Sequence, residues 1–213
     1  MRADKSVIDR LYRAESPREI ADIYDRWAET YDTGLMEDSD YVAPRRCLDI
    51  LKKYRPAKEA RLLDVGAGTG LFGQLLYRHG YRDIVGMDLS EGMLAEARKK
   101  DVYLELHRQV LGGALEFPSD GFDAAIAVGV FSPGQGPPGA FEEIIRVVKP
   151  GGYFIFTLRL GFYEDDRFGF RQKQQALEAA GKWRLEEKTG KFQGLPKGEP
   201  DLFYSIWVYK VCR

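Results

Sequence analysis

The sequence predicts a single α/β domain built on a seven-stranded, mostly parallel sheet, and three observations carry that prediction. An apolar segment at 61–65 ends in alternating glycines and is followed at once by a helical pattern. Strand-like and helix-like segments then alternate as far as residue 180, which is typical of parallel strands joined by crossover helices. Two strand-like segments follow at 183–193 and 202–211 with no helix between them, so we expect an antiparallel hairpin.

Composition narrows the class of protein. The chain has 213 residues, enough for one large domain. Its 32 basic and 33 acidic residues give a net charge of −1. Because there is no excess of positive charge, we expect no nucleic-acid partner. No apolar run of membrane-spanning length and no signal pattern is seen, so we expect no membrane partner and a cytoplasmic location. Two cysteines and two histidines predict reduced thiols and no metal site. The oligomeric state is left open.

Three helices are predicted ahead of the first strand. We expect them to form a lid segment at 1–57, in front of a core at 58–213 of the same domain. The first is an amphipathic stretch at 4–14, and the capping box Ser16–Glu19 begins the second. The third is predicted at 41–54. Because these helices precede the sheet, they can fold over its carboxyl edge.

The core elements follow from the alternation of patterns. The predicted strands of the parallel part occupy 61–65, 83–87, 103–107, 122–129 and 152–158. The predicted helices occupy 69–79, 90–100, 138–148 and 167–180. The strand at 122–129 is apolar on both faces, which indicates a central position in a parallel sheet.

A glycine-rich turn after the first strand predicts a nucleoside site. Gly66, Gly68 and Gly70 omit Cβ where the backbone must turn sharply and lie against a ligand. The helix that follows offers unpaired N–H groups at its N-terminus. Asp88, at the end of the second strand, has the position of a carboxylate that binds ribose hydroxyls. Asp64 places another acid just before the loop.

Two ligands fit these features, and they require different loops. Dinucleotides usually need the spacing G-x-G-x-x-G, whereas this loop has G-x-G-x-G. Asp64 would repel a pyrophosphate but suits an ammonium group. S-adenosylmethionine carries a ribose, an ammonium group and no phosphate, so it is favoured. A dinucleotide-dependent oxidoreductase and a non-catalytic S-adenosylmethionine-binding protein stay open as alternatives.

The glycine-rich turn, the two strand-end acids and the alternating strands and helices together resemble the class I S-adenosylmethionine-dependent methyltransferases over about residues 60–160. The resemblance implies the Rossmann-like fold of that class. The stretch YDRWAETYD at 24–32 is similar to the lid motif Y-D-x-x-A-x-x-Y-D of many small-molecule enzymes of this class. Within the class the chain is similar to the Williams–Beuren-region methyltransferase-like proteins. The supporting segments are YDRWAETYD, YVAPR at 41–45, LGGALEFPSDGFDA at 111–124, VGVFSPGQGPP at 128–138, KPGG at 149–152 and LEAAGKW at 177–183.

The resemblance implies a set of cofactor-binding residues around the methionine, ribose and adenine parts of S-adenosylmethionine. They are Tyr24, Tyr31, Asp64, Gly66, Ala67, Gly68, Gly70, Asp88, Leu89, Met93, Leu111, Gly112, Val128 and Phe131. In one place the chain departs from the class. Leu111 stands where the class usually has an acid that accepts from the adenine amino group. We therefore expect backbone groups near Leu111 and Gly112 to hold the adenine.

The implied reaction is methyl transfer to a small-molecule acceptor by in-line displacement. Such a reaction depends on positioning the two reactants in a cavity that excludes most water, more than on catalytic side chains. No catalytic residue is identified. Trp27, Ser132 and Arg159 are candidates for the acceptor site. Each has an ordinary structural alternative as well: apolar packing for Trp27, turn formation for Ser132 and a surface ion pair for Arg159.

Overall fold

The computed structural model describes residues 7, 10–11, 13–14, 16–34, 40–54, 56–132, 135–197 and 199–213. Most of the helix predicted at 4–14 lies outside the described residues.

One sheet forms the centre of the molecule. Its strands are β1 (Leu62–Val65), β2 (Ile84–Asp88), β3 (Glu105–Arg108), β4 (Phe122–Phe131), β5 (Val148–Arg159), β6 (Trp183–Lys188), β7 (Phe192–Leu195) and β8 (Glu199–Val211). They lie in the order β3-β2-β1-β4-β5-β8-β6, and β7 pairs with β8 beside this path. The first five are parallel, and β8 is antiparallel to β5, β6 and β7. This confirms the mostly parallel sheet with antiparallel C-terminal strands.

The main path has the seven strands that the sequence predicts, and an eighth arises because the predicted strand at 183–193 is divided. Thr189 lies between the two parts, β6 and β7. Its backbone N–H donates to the Ile206 carbonyl at 2.9 Å, but its side-chain oxygen, rather than its carbonyl, accepts from the Ile206 N–H. The ladder is interrupted there, and a new strand begins at Phe192.

The helices flank the sheet and cover its carboxyl edge. They are α1 (Pro17–Thr33), α2 (Ala43–Tyr54), α3 (Leu71–Arg78), α4 (Glu91–Lys99), α5 (Ala140–Val147), α6 (Leu160–Glu164) and α7 (Phe170–Ala179). Strand β5 is longer than the predicted 152–158, and the predicted helix at 167–180 is preceded by α6 and a short 3₁₀ turn at 166–168.

Helix α2 packs on a face of the sheet, although the sequence assigns it to the lid segment at 1–57. Its buried Cys47, Leu48 and Leu51 join a cluster with Leu62 and Ile126 of the central strands. On the opposite face, an aromatic cluster forms the larger core. Helix α2 therefore belongs to the core by its contacts.

Helix α1 covers the carboxyl edge of the sheet, as expected of a lid. It begins as the capping pattern predicts, because the Ser16 side chain accepts from the Glu19 N–H at 3.2 Å. Two of its acids then bond to the core. Asp25 accepts from the Gly92 N–H at 2.8 Å at the start of α4, and Asp32 binds the Lys100 ammonium at 2.8 Å. These contacts hold α1 against the edge where the parallel strands end.

Candidate active site

The glycine turn lies between β1 and α3. Gly66, Gly68 and Gly70 all have positive φ, at 69°, 54° and 87°. A Cβ on Gly66 would lie 2.4 Å from Cγ2 of Val130, so packing within the protein requires glycine there. A Cβ on Gly68 would meet nothing within 4 Å. The backbone at Gly68 therefore borders open space that a ligand can fill.

Asp88 connects this turn to the end of β2. One carboxylate oxygen accepts from the Gly68 N–H at 2.8 Å and the other from the Ser90 N–H at 2.9 Å. Burial raises the pKa of Asp88, and these N–H donors oppose the shift. Each oxygen keeps a lone pair for a further donor. The carboxylate is thus held in place with capacity to accept from two adjacent hydroxyl groups.

Asp64 lies deeper, on β1, and is only 1% exposed. Its carboxyl accepts a hydrogen bond of 2.6 Å from the Tyr103 hydroxyl. Burial raises the pKa of Asp64 to about 7, despite that bond. Among the residues that the structure describes, no lysine or arginine contributes to the shift. A cation placed beside this carboxylate would offset the cost of burying its charge.

An inner cavity with about 580 Å³ of empty space opens above the turn and is partly open to solvent. Nine predicted cofactor residues line it: Tyr24, Tyr31, Gly66, Gly68, Asp88, Leu89, Met93, Leu111 and Val128. Asp64 and Ala67 line a smaller cavity next to it, which Gly66 and Gly68 also border.

Three predicted cofactor residues line neither of these two cavities. Gly70 begins α3, and Gly112 adopts φ 101° with Pro137 against it; neither is among the residues lining the cavities. Phe131 borders the outer cavity described below, and its ring packs against Phe141, with ring centroids 4.8 Å apart, in the aromatic core. The preceding Val130 borders the inner cavity instead.

The remaining inner-cavity residues were not predicted to bind the cofactor. They are Met87, Gln109, Gly129, Val130 and Gln135. Gln135 lies in the loop after β4, where the sequence predicts an acceptor-site residue rather than a cofactor residue. Gln109 has no motif around it, and its only signal is its position between the end of the third strand and Leu111.

An outer cavity adjoins the inner one, with about 740 Å³ of space that also opens to solvent. All three acceptor-site candidates line it: Trp27, Ser132 and Arg159. The predicted cofactor residues Tyr24, Tyr31 and Phe131 border it as well. Five further wall residues come from distant segments and were not predicted: Tyr41, Thr157, Phe162, Glu199 and Tyr204.

The two cavities meet along a shared wall. Tyr24, Tyr31, Gly129 and Gln135 border both of them. The Tyr24 hydroxyl donates to Oε1 of Gln135 at 3.0 Å, which joins the lid to the loop after β4. This arrangement can hold two ligands side by side at the carboxyl edge of the sheet.

Within the described ranges, no group of three His, Cys, Asp or Glu side chains is placed to hold a metal ion. In the same ranges, every helix is too short or too polar to cross a membrane.

Comparisons with known proteins give the same class as the fold and the cavities. Residues 63–156 match the methyltransferase domain family. The chain is 36% identical over 167 residues to human Methyltransferase-like protein 27, covering 75% of this chain and 66% of that protein. It is 31% identical over 173 residues to demethylmenaquinone methyltransferase of Symbiobacterium thermophilum, covering 75% of this chain and 68% of that protein.

A more distant relative has a macromolecular acceptor in its name. The 18S rRNA (guanine(1575)-N(7))-methyltransferase of Saccharomyces cerevisiae is 30% identical over 105 residues, or 44% of this chain and 38% of that protein. Among solved structures, the [4+2]-cyclase SpnF superposes with a TM-score of 0.72 at 20% identity, covering 93% of this chain and 97% of that one. That likeness concerns the fold alone.

The chain belongs to the class I S-adenosylmethionine-dependent methyltransferases. The aligned part spans 66% of the human relative and 68% of the bacterial one.

Proposed function

We propose that the chain transfers the methyl group of S-adenosylmethionine to a small molecule bound in the outer cavity. The observation that carries this proposal is the pair of adjoining cavities whose shared wall includes Tyr24 and Tyr31. Helix α1 borders both through these tyrosines, and the outer one is also lined by Trp27 and by side chains of β5 and β8. A cavity lined by aromatic side chains and covered on one side by a helix suits a small acceptor better than a base within a folded RNA, which needs an open, positively charged face.

The residues of the inner site fit the cofactor. Asp88 has acceptor capacity for the two ribose hydroxyls, and the open space beside Gly68 admits a ligand against the backbone. Asp64 is a buried carboxyl to which no basic side chain of the described ranges supplies a stabilising charge, and the ammonium group of the cofactor would supply one. Leu89 and Met93 give apolar walls for a flat ring.

When bound, S-adenosylmethionine supplies a methyl group on a positively charged sulfur, which is transferred by in-line displacement. In this proposal the chain supplies position and an environment shielded from water. Asp64 and Asp88 fix the two polar ends of the site. The tyrosine rings of α1 lie at the wall between the cavities, where electron-rich faces favour a positive charge. Trp27, Ser132 and Arg159 shape the acceptor side.

Cofactor binding is the first part of the test. We expect calorimetry to show binding of S-adenosylhomocysteine to the wild-type chain. Gly68→Ala should bind it at least about tenfold more weakly, because the new Cβ would fill the open space. The positive φ adds about 1–2 kcal/mol of backbone strain, so the variant should still fold. Gly181→Ala, at a glycine just after α7 that has φ 67° and would place its Cβ with no neighbour within 4 Å, is the matched control.

The second part of the test identifies the chemical class of the acceptor. We would incubate the enzyme and labelled S-adenosylmethionine with a cell extract divided into low-molecular-mass, RNA, lipid and protein fractions. The label should enter the low-molecular-mass fraction, and Trp27→Ala should reduce that transfer more than it reduces cofactor binding. Label confined to RNA, lipid or protein would refute the small-molecule acceptor while leaving the cofactor site intact.

A further inference from the structure

Gln109 occupies a distinctive position at the edge of the inner cavity. It directly follows β3, and its backbone N–H donates to the Asp88 carbonyl at 2.9 Å. The residue is 8% exposed and lines the cavity with Leu89, Met93 and Leu111. An amide side chain therefore lies among the apolar residues expected to surround the adenine.

The orientation of this amide follows from its one hydrogen bond. Its Oε1 accepts from the Glu116 N–H at 2.9 Å, and because that partner is a donor, the oxygen must face it. Its Nε2 is buried without a partner in the part of the chain that the structure describes. Gln174 has an unpartnered Nε2 as well, but it lies in the aromatic core. Of these two glutamines, Gln109 is the one that lines the inner cavity, and an unpaired donor at a cavity wall points to an acceptor on the ligand.

Adenine offers such acceptors at its ring nitrogens N1, N3 and N7, whereas its amino group is a donor. The acid usual in this class accepts from that amino group, and this chain has Leu111 in its place. Leu111 leaves the adenine site without that acceptor, and Gln109 supplies a donor to it. We propose that Gln109 is a specificity-determining residue, whose Nε2 donates to a ring nitrogen of the cofactor's adenine. The base is then recognised through an acceptor rather than through its amino group.

Calorimetry with S-adenosylhomocysteine and its 1-deaza, 3-deaza and 7-deaza analogues tests this proposal. Each analogue replaces one ring nitrogen with C–H. The wild-type chain should bind one of the three about tenfold more weakly than the parent compound, a loss of about 1.4 kcal/mol. Equal binding of the parent and all three analogues would overturn the proposal.

Two variants show whether Gln109 causes the discrimination. Gln109→Glu keeps an oxygen for the Glu116 N–H but replaces the donor with an acceptor, and Gln109→Met removes the amide. In both, the penalty for the sensitive analogue should fall from about tenfold to less than about twofold. A penalty that persists in a folded variant would assign the discrimination to another residue. Gln174→Met, which removes a buried amide remote from the cavity, should leave the penalty unchanged.

This outcome is separable from that of the function proposed above. Wild-type binding of S-adenosylhomocysteine tests the cofactor site by itself, and the analogues test only how its base is recognised.

Discussion

Asp64→Asn is a substitution whose effect on stability should change with pH. The Asp64 carboxyl is buried on β1, and burial raises its pKa to about 7, from an ordinary value of 3.8. Asparagine has nearly the same shape and can still accept from the Tyr103 hydroxyl. It cannot ionise, so the variant removes the charge and keeps the packing.

The size of the stability change follows from how far the pKa of Asp64 is raised. About three pKa units at 1.36 kcal/mol each make the ionised carboxylate cost about 4 kcal/mol in the ligand-free protein. Asparagine adds a buried amide donor that costs about 1–3 kcal/mol if unpaired. The variant should therefore be about 1–3 kcal/mol more stable than the wild type at about pH 8.

The pH dependence follows from proton binding. Between about pH 4 and pH 7 the folded state holds the Asp64 proton and the unfolded state has lost it. This group's contribution to the free energy of unfolding therefore falls as the pH rises through that range. The advantage of the variant should shrink towards about pH 5, where the wild-type carboxyl is protonated.

Urea unfolding of both proteins from about pH 5 to about pH 8 measures this difference. Asp49→Asn, on the exposed side of α2, is the control for loss of a carboxylate that is not buried. A stability difference between Asp64→Asn and the wild type that stays constant across the range would refute the reasoning. Under the proposed function, the same variant should bind S-adenosylhomocysteine more weakly, because the cofactor's ammonium group loses its partner.

Two further predictions concern packing around the site. Asp25→Ala removes the acceptor of two hydrogen bonds at the start of α4. In urea unfolding, this variant should lower the free energy of unfolding by about 1–2 kcal/mol. The control Asp22→Ala, at an exposed position of α1, should change it by less than about 0.5 kcal/mol. Equal effects would show that the Asp25 contacts do not hold α1. Gly73→Ala would place Cβ 2.2 Å from the Tyr103 hydroxyl, so thermal unfolding should show a loss of at least about 1 kcal/mol, against little change for Gly190→Ala. An unchanged midpoint in Gly73→Ala would mean that Tyr103 moves without cost.

The order of elements could be predicted because each parallel strand leaves a local signal. The apolar segment ending in Asp64 and the strand-end acid Asp88 are read within a few residues of sequence, and both lie where such patterns predict. The side on which a residue falls near a strand end is harder to predict. Strand β4 continues to Phe131 rather than ending at 129, and its pairing with β5 is irregular between Ala127 and Phe131. Val130 borders the inner cavity, whereas Phe131 packs in the aromatic core and borders the outer cavity.

Much of the wall of the outer cavity could not be predicted from local patterns, because it is assembled from segments far apart in the chain. Tyr41 precedes α2, and Tyr204 belongs to β8, where it pairs with Arg159 of β5. Neither has a sequence signal of its own. Gln109 is a similar case. Its proposed role depends on the orientation of its amide, which is fixed by the Glu116 N–H seven residues away.

The placement of the three tryptophans gives the protein a built-in optical reporter. Trp183 and Trp207 are each 1% exposed in the aromatic core, where Trp183 stacks on Tyr209 with ring centroids 3.9 Å apart. Trp27 alone borders the outer cavity, edge-on to Tyr31 with centroids 4.7 Å apart. Core indoles give a steady emission while the fold is intact, so a ligand-dependent change in fluorescence is assigned to Trp27. Acceptor candidates can thus be screened by titration without label, with Trp27→Phe as the blank.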